Sequence, residues 1–333
     1  MSFVIDGSEW NFNGWSSEDI IFAIDLLLER VEIAKNRKET IWIGDDLQTR
    51  SMLGDLDLWS LVAPDSPISV PPEIRQELAA WLGRASKYLD EPDWPHGMAD
   101  ALLIGVDGQA QQAENADWAW AHHHVRNGRP VACIGLRRSG VHDTDSVYGH
   151  AVVHWVVDEN SHRAFWRDAI ELEGDSQEAL ERLAPHAFPD LFFQANVWRG
   201  LNELVGGYDA ERKTVQKYLR VLDDQGYWAF TCPPPALSRG EADGPDPKAR
   251  PSNQIIERRF MGLALEVAPE KPNVHDDTRC REAREIVLGG RTLYCEWHGK
   301  LKPHQNRLHF HPPVPESGEK VIIAIFHRHL PLP

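Results

Sequence analysis

The sequence predicts an α/β N-terminal region, with a mixed sheet and a helical subdomain, followed by a C-terminal α+β unit built on an antiparallel sheet of three to four strands. Three observations carry this. Short apolar runs alternate with segments of helical periodicity as far as Cys232; a segment with six prolines follows at Pro233–Asn253; and from Arg291 onward polar and apolar residues alternate with strand spacing. The domains expected are therefore an acidic, Trp-rich α/β region over 1–232, a Pro-rich linker over 233–253 and a basic α+β domain over 254–333. A chain of 333 residues, 42% of them hydrophobic and 13 of them tryptophan, has the means to fill such cores.

Taken in order, SFVI is a short strand and DGSEWNFNGW a turn-rich segment. Ser16 and Asp19 resemble a capping box for a helix whose Ile20, Ile24, Leu27, Leu28 and Val31 share a face through Lys35. TIWIG is a strand. Asp6, Asp45 and Asp46 follow strands, as the carboxylates of metal-dependent nucleases do, and as ordinary turn and cap aspartates also do. Leu47–Pro64 reads as irregular. Val70-Pro71-Pro72 opens a helix to about Arg84, YLDEPDWPHG is a loop, ALLIGVDG a strand with a turn, and Asn115–Asn127 a helix. That helix carries His122, His123 and His124, whose side chains point about 100° apart, so they cannot share one metal and instead suit a core-edge or capping role.

PVACIGL and AVVHWVVD are strands separated by the polar segment RRSGVHDTDSVYGH. His142, His150 and His154 with Asp143 and Asp145 offer ligands for a metal, while a polar loop accounts for the same residues. Beyond Ser161 the pattern is helical: SHRAFWRDAIELEG, SQEALERLAP, a short LFFQ strand, VWRGLNELVGG, and DAERKTVQKYLRVLDDQG, whose Arg212, Lys213, Lys217 and Arg220 form a charged helix back. After the Pro-rich segment come a strand expected at RRFMGLALEV, a helix at TRCREAREIVL, a Gly289-Gly290 turn and three closing strands.

Charge and cysteine usage narrow the setting. The formal net charge is −16, yet Arg279–Pro333 holds nine Lys or Arg against five Asp or Glu, so the remainder of the chain carries −20. Such asymmetry suits a polyanion-facing module tied to an acidic one, with RNA or the ribosome as one partner and a protein docking through the acidic N-terminal region as another. Cys133, Cys232, Cys280 and Cys295 form no CxxC pair, as expected in a reducing compartment. No apolar run reaches the roughly twenty residues that span a bilayer, and MSFVIDGSEW lacks the marks of a signal peptide, so a cytoplasmic protein without a membrane partner is expected.

Six of the sixteen histidines lie in the closing stretch. In RLHFH, Arg307, His309 and His311 share one parity and Leu308 and Phe310 the other, so a strand is expected to place the polar set on one face. The order strand, helix, three-strand meander, together with Trp297, His298 and Lys300 in YCEWHGKL, His304 and Arg307 in PHQNRLHF, and terminal His327, Arg328 and His329, resembles the RelE/ParE-like toxin superfamily. The resemblance covers about a quarter of the chain; it implies a metal-independent ribonuclease of toxin or defence type. Those toxins usually stand alone and often have two helices, whereas one helix and a long preceding region are read here.

RNA cleavage through the 2′-hydroxyl requires a base, an acid and cations for the phosphorane. His309 or His311 supplies the first proton-transfer group, His327 or His329 the second, and Arg307 and Lys300 clamp phosphate. Arg328, Trp297, His298 and His304 remain for substrate binding, with Glu296 as an alternative base. No cofactor is needed for this chemistry. Two other readings stand beside it: zinc or iron held by His309, His311, His327 and His329 from adjacent strands, and a sheet that binds RNA or protein without catalysis.

Overall fold

The computed structural model describes residues 3–90, 103–109, 114–242, 244 and 246–333. Its contacts divide the chain into two compact units, Met1–Glu173 and Gly174–Pro333. Of the loop expected at Tyr88–Gly97, residues 91–97 lie outside the described residues, as do 101 and 102 of the strand expected next.

The first unit is a mixed sheet flanked by helices. Its strands are β1 (Phe3–Ile5), β2 (Ile41–Ile43), β3 (Ser86–Lys87), β4 (Gly105–Val106), β5 (Ala132–Ile134), β6 (Gly140–Ser146) and β7 (Gly149–Val156), in the order β3-β2-β1-β5-β7-β6-β4. The first five in that order run parallel, and β6 and β4 are antiparallel additions. Parallel strands covered on both faces need continuous apolar runs, which is why FVI and ACI are buried throughout. Helix α1 (Ser17–Asn36) is capped by the Ser16 hydroxyl, which accepts from the Asp19 N–H, and it buries the expected stripe from Ile20 to Val31. A single turn, α2 (Leu58–Leu61), interrupts the irregular stretch, and α3 (Pro72–Leu82) starts on its proline. Asn115 caps α4 (Ala116–Arg126), whose Trp118 and Trp120 join Trp155, Val4 and Cys133 in the core. The segment expected as a polar loop is instead strand β6, paired along its whole length with β7. Its outward face meets solvent, so its polar composition hid the strand period. Helix α5 (Glu159–Leu172) closes the unit.

The second unit begins with α6 (Gln177–Ala187), β8 (Leu191–Phe193), a 3-10 turn at Val197–Glu203 where a regular helix was expected, and the long α7 (Gly207–Thr231). RRFMGLALEV, expected as a strand, ends α8 (Asn253–Gly262) and reaches β9 (Val267–Pro269) only later; Ile256, Arg259 and Phe260 form the buried face of that helix. The helix expected at TRCREAREIVL likewise divides. After a short α9 (Pro272–Asp276), the segment itself begins as α10 (Thr278–Glu282) and gives way to β10 (Glu285–Leu288), which turns at Gly289-Gly290 into β11 (Arg291–Tyr294). Ile286 and Leu293 then pack on Ile322 and Ala324 of the main sheet, a tertiary contact that outweighs helix propensity.

The closing meander forms as read: β12 (Trp297–Lys300), β13 (Arg307–His311) and β14 (Val321–His327) are antiparallel. Two edges extend it to five strands, β8-β14-β13-β12-β9, with β8 parallel to β14. This corrects the expected domain boundary. Residues 174–232, assigned to the N-terminal domain, supply a strand and a covering helix to the C-terminal sheet. Tyr218 of α7 lies so close to Gly299 that a Cβ there would stand 2.3 Å from its ring. The Pro-rich segment is no free linker at its start either: the fully buried Arg259 donates Nε to the Ala236 carbonyl and Nη1 to those of Ala229 and Cys232. Among the described residues, no helix is long and apolar enough to cross a membrane.

Candidate functional site

Leu308 and Phe310 face inward as expected, with Phe310 against Phe230 and Phe260. The opposite parity does not simply meet solvent. It lies on the side of the sheet that β10–β11 covers, and His309 is only 1% exposed. What remains open on that side is a cleft of about 510 Å³, lined among others by Glu270, Lys271, Arg284, His298, Lys300, Arg307, His309 and His329.

Strand pairing explains the convergence. His298 stands opposite His309, and Lys300 opposite Arg307, on adjacent antiparallel strands. The two imidazole centroids are 5.7 Å apart. Behind them, Glu270 Oε1 accepts from Arg284 Nε at 2.8 Å, and Arg284, almost wholly buried, donates Nη1 to the Cys280 and Pro331 carbonyls. Glu270 Oε1 is 3.6 Å from His298 Nδ1 and 3.8 Å from His309 Nδ1, beyond hydrogen-bond reach. Among the described residues neither Nδ1 has a hydrogen-bond partner, so two buried ring nitrogens stand unsatisfied in the cleft.

Burial lowers the pKa of His298 and drives that of His309 well below its ordinary value; Arg284 and Arg307 push His309 the same way, while a hydrogen bond with the Cys295 backbone opposes them. Both rings are therefore neutral at neutral pH. Arg307 is held to the turn before its strand, Nη1 donating to the Lys302 and Asn306 carbonyls at 2.9 Å each. Burial lowers its pKa too, within a range where it stays charged. Lys300 Nζ lies 3.5 Å from Glu266, with its side chain 40% exposed. The cleft thus joins several cations to two neutral bases, and the Glu270 oxygen nearest the imidazoles is already taken by a guanidinium. That arrangement suits an anion.

Of the residues singled out in the sequence, Lys300, Arg307, His298, His309 and His329 line the cleft. The rest do not. Trp297 is 1% exposed and packs on Phe230, so it is core and no platform for a base. His304 sits exposed in the β12–β13 turn with φ 59°. His311 Nδ1 is tied to the Pro312 carbonyl at 2.7 Å, with burial lowering its pKa. His327 is paired with Arg307 across the strands, but its Nδ1 accepts the His329 N–H. Arg328 is exposed beyond the end of β14, and Glu296 lies between β11 and β12, also outside the cleft. The His309, His311, His327, His329 metal set does not assemble: among the described residues, no group of three or more His, Cys, Asp or Glu is placed to hold an ion.

Glu270 and Arg284 escaped the sequence reading. An acidic residue just past a strand is a weak signal for Glu270, and Arg284 lay hidden in a segment read as helix.

In the first unit the metal readings also dissolve into pairs. Asp6 accepts from the indole N–H groups of Trp118 and Trp155 at 2.7 and 2.8 Å, Asp45 pairs with Lys87, and Asp46 with Arg50. His142 pairs with Asp107, His150 with Asp143 and Asp145, and His154 with Asp168. His122 sits at the core edge as expected, its two ring nitrogens bonded to Thr144 and Ser146.

No protein-family model, curated protein or solved structure matches the chain.

Proposed function

We propose that the second unit is a ribonuclease that needs no metal, acting through the cleft on β12 and β13. The observation that carries this reading is the pair of neutral imidazoles of His298 and His309, each with an unsatisfied Nδ1, beside the cations of Arg307 and Lys300. Such a set offers what 2′-hydroxyl chemistry demands: a base that is unprotonated at working pH and fixed positive charge where the phosphorane forms.

In this scheme His298, the more accessible ring, takes the 2′-hydroxyl proton, and the oxygen attacks phosphorus. Arg307 and Lys300 hold the non-bridging oxygens. The P–O5′ bond breaks, His329 at the cleft donates the proton to the leaving oxygen, and the products are a 2′,3′-cyclic phosphate and a 5′-hydroxyl. His309, buried behind His298 with Glu270 and Arg284, is a positioning residue. The RelE/ParE-like resemblance points the same way, toward RNA on a free or ribosome-bound substrate and a role in defence.

The test is cleavage of a synthetic RNA oligomer in EDTA by the full chain. Arg307→Ala and His298→Asn are each expected to lose on the order of 100-fold in rate. Binding without cleavage by the wild type points to a non-catalytic RNA module; activity abolished by EDTA and restored by zinc or iron points to a metal enzyme. Either outcome, or full activity in both variants, removes this reading.

A further inference from the structure

The first unit carries a second anion cradle, and the chain fills it with its own side chain. Strands β2 and β3 lie on one side of β1 and strand β5 on the other, so the chain reverses direction across the sheet between β1 and β5. In open parallel sheets the crevice outside the carboxyl ends at such a reversal is where ligands bind. There the loop after β5 presents three successive backbone N–H groups, those of Leu136, Arg137 and Arg138, and all three donate to the Glu9 carboxylate: Leu136 and Arg137 (2.8 Å) to Oε2, Arg138 (2.8 Å) to Oε1. Successive N–H groups converging in this way form an anion-binding nest. The turn leaves no room for a side chain before it, since a Cβ on Gly135 would lie 2.7 Å from the Arg138 carbonyl and 2.8 Å from Glu9.

The surroundings are built for more than one carboxylate. The same loop supplies two guanidinium groups, Arg137 held 3.6 Å above the Trp15 ring and Arg138 4.7 Å from that of Trp118. Leu136, Arg137 and Trp15 also line a groove of about 470 Å³ whose wall includes Phe22, 63% exposed, and Leu26, 39% exposed. The indole N–H of Trp15 is buried and has no acceptor among the described residues. Cationic nest and exposed apolar wall together describe a site for an anion with an apolar body. Glu9 itself is half-buried at the end of a three-residue 3-10 turn, Gly7–Glu9.

We propose that the loop 135–138 and the groove beside Trp15 form a binding site for a nucleoside phosphate, held closed by Glu9, which a ligand phosphate displaces. Titration calorimetry of the full chain with inorganic phosphate and with a nucleoside diphosphate tests it. Glu9→Gln, which keeps the shape but not the charge of the plug, and Glu9→Ala, which removes it, are expected to tighten nucleoside diphosphate binding at least 10-fold over wild type. Inorganic phosphate should bind more weakly than the nucleotide, and Arg137→Ala in the Glu9→Gln background should abolish the gain. Should Glu9→Ala not fold, Glu9→Gln alone decides. No tightening in a folded Glu9 variant makes Glu9 a structural tie and overturns the proposal. So does a gain that survives Arg137→Ala, or equal affinity for the two probes, which denies the groove its part.

Discussion

His309 shows how burying one titratable residue makes stability depend on pH. Its folded-state pKa lies well below that of the unfolded chain, because burial and neighbouring cations disfavour the imidazolium. Below the ordinary histidine pKa the unfolded chain therefore binds a proton that the folded chain refuses, and stability falls as pH drops through that window. His309→Gln is expected to flatten this acid limb, read as melting temperature against pH from 7 to 5. Asp117 carries the opposite sign. Desolvation raises its pKa to about 7, with Asp6 adding to the rise and Arg50 opposing it. Here the folded chain binds the extra proton, so the contribution is fully present below about pH 4 and is lost as pH rises toward 7. Asp117→Asn should remove that decline; an unchanged slope in the variant would place the carboxylate elsewhere than in its buried contact with the Gly7 N–H. For catalysis, burial lowers the His298 pKa below the ordinary histidine value, so the acid limb of the proposed cleavage should lie below about pH 6.5, and a limb at or above that pH would count against His298 as the base.

At the scale of the element, β13 divides its work between faces. Phe310, fully buried against rings from α7 and α8, holds the sheet to its helices, and Phe310→Ala should cost about 3–5 kcal/mol in denaturant unfolding. On the neighbouring strand, Gly299 permits the approach of Tyr218, whose hydroxyl bonds to the Glu266 and Lys300 carbonyls at 3.1 Å each. Gly299→Ala should push the ring aside, break those bonds and destabilise by roughly 1–3 kcal/mol. It should also impair the cleft, since the Lys300 backbone is one of the groups held. Loss of stability with unaltered RNA affinity would separate the tyrosine from the site. The periodicity of these strands was legible from the sequence because alternation is local; which covering element each face meets was not, because α7 lies some seventy residues upstream and β10 lay in a segment read as helix.

For the whole molecule, the contact boundary near Gly174 makes a physical claim about the Pro-rich segment. A protease site placed between Pro233 and Asn253 should yield two pieces that still elute together without denaturant, since α7 and β8 belong to the same unit as β9–β14. A chain starting at 254 should fail to fold, having lost an edge strand and the helix over its core; independent folding of that fragment would restore the boundary read from composition. Composition misled there because prolines and glycines report local chain conformation, whereas the carbonyls held by Arg259 are a tertiary fact. By itself the sequence determined the mixed α/β class, the helix starting at Ser17 with its serine cap, the closing meander and five of the cleft residues, all set by short-range periodicity and capping. Tertiary structure decided that Trp297 is core, that His309 is buried and neutral, that Glu270 and Arg284 stand behind the imidazoles, and that Glu9 fills a nest 127 to 129 residues away. Those outcomes depend on which distant segments cover a face, and no local pattern of residues encodes that.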